Sequence, residues 1–319
     1  MAGMGVTALA DRVVEGDPRA CARLISWLED RQPEALSILA GLPVGRALRV
    51  GVTGPPGAGK STLVDGLVRA FRACNLKVGV LAVDPSSPYT GGAILGDRIR
   101  MQGHAGDPGV FIRSMGSRGQ LGGLSEATDA ACRVLAAAGH GVVLIETVGV
   151  GQSEVAIRGV ADLVLLVLHP EAGDGIQALK AGILEVPDLF VVNKADLPGA
   201  RATRQAILAM LDELADLRGE EPGLPPADRV LLVAAEQQDG PLAPRGALAE
   251  RLLAARDGRW QPRGRDVRAL VRAMVLRRLQ DHLEAVPPPA DLAMPESAAE
   301  TWLADVVRHV LQTGESDGS

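Results

Sequence analysis

Gly51-Val52-Thr53-Gly54-Pro55-Pro56-Gly57-Ala58-Gly59-Lys60-Ser61-Thr62 follows a short strand-like run, Ala47-Leu48-Arg49-Val50, and precedes a helical pattern, Leu63-Val64-Asp65-Gly66-Leu67-Val68. Gly54-x-x-x-x-Gly59-Lys60-Ser61 between a strand and a helix has the spacing of a phosphate-binding loop. Glycines let successive backbone N–H groups turn toward phosphate oxygens, and the following helix adds the positive end of its dipole. The reading places Gly54, Pro55, Pro56, Gly57, Ala58, Gly59, Lys60, Ser61 and Thr62 around a nucleotide's phosphates. Lys60 would reach the β- and γ-phosphates, and the Ser61 hydroxyl would bind Mg²⁺. The alternative is a glycine-rich turn with a solvated lysine, and the flanking strand and helix argue against it.

Outward from this loop, apolar strands recur at 48–52, 78–83, 142–145, 163–168, 189–192 and 230–233, with helical stretches between them. Continuous apolar strands alternating with helices predict an α/β fold, a mostly parallel, doubly wound sheet covered on both faces. Residues 1–46 read as an N-terminal helical arm. Asp17-Pro18 supplies an N-cap and a proline at the first helical position, and Gly41 closes a second helix. Residues 47–258 read as the nucleotide-binding domain. Residues 259–312 read as a C-terminal helical region for dimer contact, with an apolar stripe of Val267, Leu270, Val271, Met274 and Val275. The polar tail 313–319 reads as disordered.

The chain has 319 residues, enough for a sizeable core, and aromatics are only 2%, so that core must be built from Leu, Val, Ala and Ile. A net charge of −6 argues against a nucleic-acid or anionic-membrane surface. The three cysteines, Cys21, Cys74 and Cys132, are far apart and suggest neither a disulfide framework nor a zinc site. No apolar run approaches the ~18 residues of a membrane span, and the first residues lack the pattern of a signal peptide, so a cytoplasmic location is expected.

A Mg²⁺–nucleotide site needs carboxylates at the ends of neighbouring strands. The strand at 142–145 runs into Glu146-Thr147-Val148-Gly149, an acid to hold the ion and a glycine whose N–H can meet the γ-phosphate. Lys60, Glu146 and Gly149 form the expected catalytic set. The strand at 78–83 runs into Asp84 and a segment that also carries Asp97. Asn193-Lys194-Ala195-Asp196 follows another apolar strand. The Asp196 carboxylate can accept from guanine N1–H and N2–H₂, whereas adenine would leave it unpaired. Asn193 can tie this loop to the phosphate loop, and the Lys194 stem can cover the base. Val150 stands where many GTPases place the glutamine that orients the attacking water, so slow intrinsic hydrolysis is expected, with Gln152 a possible substitute.

These residues in this order resemble the MeaB/ArgK family, GTPases associated with methylmalonyl-CoA mutase. The resemblance runs through GVTGPPGAGKSTL, VLAVDPSSPYTGGAILGDRIRM, FIRSMGSRGQLGGLS, VLIETVGVGQSEV, GDGIQALKAGILE and VVNKADL. It implies a P-loop GTPase of the SIMIBI branch, which includes metal-insertion and signal-recognition GTPases. It further implies a homodimer that gates and protects an adenosylcobalamin-dependent acyl-CoA mutase, the cobalamin belonging to the partner. By the same resemblance, Asp84, Asp97 and Glu146 would serve Mg²⁺, and Asp174, Gln177 and Lys180 would lie in a third switch facing the mutase. The sequence departs from the family where a guanine loop usually reads Ser-Ala. Here Val233-Ala234-Ala235-Glu236 stands, and an N–H from Ala235 is the expected donor to guanine O6. A nickel-metallochaperone GTPase is the rival reading. It would require a Cys/His cluster near the switches, and the histidines are scattered. Arg98, Arg100, Arg113 and Arg118 are left as candidates either to touch phosphate or to pair with acids.

Overall fold

The strand–helix repeat folds into a seven-stranded sheet in which every strand pairing is parallel. The computed structural model describes residues 6–84, 102–104, 106–116, 121–147, 157–170, 187–218, 225–237, 239–240, 242–259 and 262. Helices α1 (Val6–Val14), α2 (Pro18–Glu29) and α3 (Pro33–Gly41) precede β1 (Leu48–Thr53) and α4 (Lys60–Ala73). Next come β2 (Val78–Asp84), a 3₁₀ turn (Gln102–His104), β3 (Val110–Gly116), α5 (Leu121–Ala137), β4 (Val142–Thr147) and β5 (Leu163–Leu168). Then follow β6 (Leu189–Val192), α6 (Ala200–Arg218), α7 (Pro226–Arg229), β7 (Val230–Leu232) and α8 (Ala247–Arg256). The sheet order is β3-β2-β4-β1-β5-β6-β7, which places β1, the strand feeding the phosphate loop, between β4 and β5.

Strand alternation divides the core. Val50, Val52, Val80, Leu144 and Leu165 face Leu63, Leu67 and Phe71 of α4 and Leu252 of α8. Leu81, Val83, Val143 and Ile145 face the other way, onto Ala131 and Leu135 of α5 and onto Leu9, Leu24 and Ile38 of the first three helices. Residues 6–41 therefore do not stand off as an arm. They share one apolar cluster with the sheet. Arg113 of β3 reinforces the join, donating from Nη1 to the Ala22 carbonyl (2.9 Å) and from Nη2 to Ser26 Oγ (3.0 Å), and pairing with Glu29. As expected, Asp17 caps α2, accepting from the N–H groups of Arg19 and Ala20.

β3 is the strand that the sequence reading missed. It lies at the sheet's edge and is only half buried, so Arg113 and Ser114 interrupt the apolar run that marked the other strands. Apart from residues 259 and 262, the C-terminal helical region expected at 259–312, with its dimer contact, lies outside the described residues. Among the described residues no helix is long and apolar enough to cross a membrane.

Candidate nucleotide site

β1 delivers the loop at the C-terminal edge of the sheet, and α4 begins at Lys60 with Gly59 as its N-cap. Two glycines here are required by shape. Gly54 has φ +139°, and a Cβ on it would lie 2.1 Å from the Val167 carbonyl oxygen. Gly59 has φ +87°, and a Cβ would lie 2.3 Å from Asn193 Nδ2. Ala58 is buried, whereas Pro56 and Gly57 are exposed at the tip and Pro55 is half-buried. Lys60 is buried and curls over the loop, its Nζ donating to the carbonyls of Gly54 (2.8 Å) and Pro55 (3.1 Å).

Ser61, on the first turn of α4, donates from Oγ to Glu146 Oε1 at 2.6 Å. Glu146 is 2% exposed, and the parallel register pairs it with Val52, one residue before the end of β1. Topology thus brings together two residues separated by 85 positions of chain. Both offer hard oxygen donors, the chemistry that Mg²⁺ selects. On the opposite face of the same strand ends, Thr147 Oγ1 donates to Thr53 Oγ1 at 3.1 Å, both side chains being buried. The sequence reading passed over that pair, because only the strand order makes the two threonines neighbours. Asp84 ends β2, one residue beyond the Val83–Thr147 register pair, so its backbone lies at the same edge as Glu146. Asp97, Gly149, Asp174, Gln177 and Lys180 lie outside the described residues, as do Arg98, Arg100 and Arg118. Arg113 is engaged with α2.

Asn193 is 2% exposed and bridges two loops. Its Nδ2 donates to the Ala58 carbonyl (2.9 Å), and its Oδ1 accepts from the Ala235 N–H (3.0 Å). The Ala235 N–H, the expected donor to guanine O6, here donates to Asn193. Lys194 holds a left-handed backbone (φ +53°), which is uncommon for a residue with a side chain and typical of functional loops. The Ala195 N–H donates to the Val233 carbonyl (3.0 Å), locking the turn against the strand end and leaving Asp196 exposed. Among the described residues no group of three or more His, Cys, Asp or Glu is arranged to hold a metal ion.

The profile of the family described as Methylmalonyl Co-A mutase-associated GTPase MeaB matches residues 21–286. This chain belongs to the MeaB family. A Pyrococcus abyssi protein is 54% identical over 209 residues, covering 65% of this chain and 64% of its own length. The GTPase ArgK of Escherichia coli is 42% identical over 210 residues, 64% of this chain and 63% of its own length. The mouse methylmalonic aciduria type A homolog, mitochondrial, is 41% identical over 166 residues, 51% and 40% respectively. The chain thus matches less than two thirds of the length of each of these relatives. A solved structure titled LAO/AO transport system kinase superposes with a TM-score of 0.61 at 25% identity, covering 97% of this chain and 99% of its own. The MeaB-family fold is therefore that of a P-loop GTPase of the SIMIBI class. Its phosphate loop and switch strand are immediate neighbours, β1 beside β4.

Proposed function

We propose that this chain is a Mg²⁺-dependent GTP hydrolase that serves as a chaperone for an adenosylcobalamin-dependent acyl-CoA mutase, acting as a cytoplasmic homodimer. The observation that carries the hydrolase reading is the Asn193 bridge. It locks a base-reading loop to a phosphate loop, so one side chain sets the distance between the two ends of a nucleotide. Family membership supports the mutase.

In hydrolysis, water attacks the γ-phosphorus, the bond to the β–γ bridging oxygen breaks with its electron pair leaving on GDP, and of the water's two protons one stays on inorganic phosphate and one passes to solvent. Ser61 and Glu146, with Asp84 and Asp97, would hold Mg²⁺, which would supply positive charge against the phosphate oxygens. Lys60 exchanges its bonds to the Gly54 and Pro55 carbonyls for phosphate oxygens, so its charge is already aimed at the loop's interior. Gly149 offers its N–H to the γ-phosphate. Asp196 reads the base at N1 and N2. Because the Ala235 N–H is engaged, this carboxylate carries most of the discrimination.

The test is phosphate release from GTP by the full chain, alone and with the cobalamin-dependent acyl-CoA mutases of its host. Stimulation by one of them, and its reduction by alanine at Asp174, Gln177 and Lys180 with nucleotide affinity unchanged, is the expected outcome. No binding and no rate change with any of those mutases would sink the chaperone reading while leaving the hydrolase intact.

A further inference from the structure

At the C-terminal edge of the sheet, the strand that feeds the phosphate loop and the strand that carries Glu146 part from one another. The parallel register of β1 and β4 runs from Leu48–Val142 to Val52–Glu146 and stops there. One residue on, Thr53 is in register with Leu166 of β5, and Thr147 is in register with Val83 of β2. Thr53 is followed by Gly54, where the phosphate loop begins, and Thr147 directly follows Glu146. This fork therefore sets how the loop stands relative to the Glu146 carboxylate.

Two side-chain hydrogen bonds cross the fork, one on each face of the sheet. On the α4 face, Ser61 Oγ donates to Glu146 Oε1 at 2.6 Å. On the opposite face, Thr147 Oγ1 donates to Thr53 Oγ1 at 3.1 Å. Thr147 Oγ1 also lies 3.5 Å from the carbonyl oxygen of Val52, the residue in register with Glu146. Thr53 and Thr147 are only 1% and 2% exposed. Where the two backbones turn to other partners, the hydroxyls carry the link between β1 and β4 one residue further.

Stability alone gives little reason for hydroxyls here. A hydrogen bond of this kind contributes about 0.5–1.5 kcal/mol net, and replacing both partners by apolar groups of the same shape can be nearly neutral. Two valines would fill the same space. What the hydroxyls add is direction, because a hydrogen bond prefers one distance and one angle and an apolar contact does not. Direction matters at this point because Mg²⁺ demands near-ideal ligand geometry. Ser61 rides on the helix that opens at Lys60, whereas Glu146 rides on the end of β4, so the fork fixes their separation.

We propose that Thr53 and Thr147 are a positioning pair for the divalent-cation site. Their hydrogen bond holds the ends of β1 and β4 at the spacing at which Ser61 and Glu146 take up the ion. The threonines themselves lie on the other face of the strands and act through their neighbours in the chain. The base end of the nucleotide is gripped across β5, by the Asn193 bridge and Asp196. Breaking the pair should therefore weaken metal uptake and leave the metal-free grip on the nucleotide unchanged. The inference rests on the Mg²⁺-dependent hydrolase reading above.

The test uses the full chain and four variants: Thr147→Val, Thr53→Val, the double Thr53→Val/Thr147→Val, and Thr147→Ser, which keeps the hydroxyl. Each is loaded with a non-hydrolysable GTP analogue. The affinity of the loaded protein for Mn²⁺, used in place of Mg²⁺, is read by electron paramagnetic resonance. Analogue affinity in EDTA and the thermal midpoint are measured beside it. Thr147→Val and the double variant should bind Mn²⁺ about 10-fold more weakly, the loss typical when a group that orients a metal ligand is removed. Analogue affinity in EDTA should stay within about 2-fold of wild type, and Thr147→Ser should keep most of the Mn²⁺ affinity. The thermal midpoint separates positioning from packing. Each single valine strands one buried hydroxyl and should lower the midpoint, whereas the double strands none and should regain it. A double variant that regains its midpoint and still binds Mn²⁺ weakly is the expected signature. A double variant with wild-type Mn²⁺ affinity, or one that fails to fold, would overturn the proposal and leave the pair structural. Should a single valine variant fail to fold, the double and Thr147→Ser still decide. Wild type that holds the analogue and takes up no Mn²⁺ would overturn the Mg²⁺-dependent reading and this inference together. Normal uptake shared by wild type and all variants overturns this inference alone.

Discussion

Gly59 has no room for a methyl group. Its φ of +87° disfavours any side chain, and the nearest atom to an added Cβ is the Asn193 amide that spans the site. Gly59→Ala should strain the loop and push Asn193 off Ala58, weakening nucleotide binding more than an alanine at exposed Gly57. Titration with a fluorescent GDP compares the two. Asn193→Ala leaves the Ala58 carbonyl and the Ala235 N–H without their bridge, at a cost of about 1–3 kcal/mol per buried group. Both folding stability and nucleotide affinity should fall, and a loss confined to affinity would contradict the bridge. His140 makes a separate prediction. Burial disfavours its imidazolium and lowers its pKa, and the Leu135 carbonyl, accepting from Nδ1–H, opposes that only in part. The unfolded chain then takes up the proton more readily than the folded one. The stability that neutral His140 contributes is complete above the unfolded pKa of ~6.5 and is lost as pH falls below it toward the folded value. Urea midpoints at pH 7.5 and about pH 5.5 should fall further for wild type than for His140→Asn, and equal falls would contradict the assignment.

At the scale of elements, the parallel strands flanking the loop were legible because each is buried on both faces and reads as an unbroken apolar run. β3 was not legible, because an edge strand keeps polar residues and Arg113 is there to hold α2. The same reasoning explains the first helices. Their helical pattern and the Asp17 cap were visible, but their membership of the central core follows from long-range packing that no local period encodes. The phosphate loop and the Asn193-Lys194-Ala195-Asp196 turn stand out in the sequence as motifs, each being short and contiguous. The Ser61–Glu146 contact could be anticipated, whereas the Thr53–Thr147 pair and the use of the Ala235 N–H could not, since both depend on how separated strand ends meet. Arg113→Met tests the join between α2 and the sheet. It leaves the mostly buried Glu29 carboxylate without this cation, and a cost of about 2 kcal/mol is expected, between the exposed and fully buried limits. Amide exchange in α2 should accelerate relative to exchange in β4. Equal protection in wild type and variant would show that the apolar contacts alone hold these helices.

Across the whole molecule, one sheet edge gathers the phosphate loop, the Glu146 strand end and the Asn193 turn, while the opposite edge gathers a hydrogen bond from the Arg49 N–H to Asp162 and an ion pair between Arg158 and Asp188. By linkage, a mutase that favours the GTP-bound arrangement must itself be bound more tightly when GTP is present. Pull-downs with GTP and GDP should differ in the same direction as the mutase's effect on GTP affinity. The most direct measurement is calorimetric titration of the full chain with GTP and with ATP in Mg²⁺, followed by phosphate release from each, for wild type, Asp196→Asn and Lys60→Ala. Wild type should bind GTP at least ~100-fold more tightly than ATP and release phosphate from GTP slowly. Asp196→Asn should shift the preference toward a xanthine nucleotide, and Lys60→Ala should nearly abolish release. Equal affinity for the two nucleotides, or phosphate release from GTP undiminished in Lys60→Ala, would contradict the account.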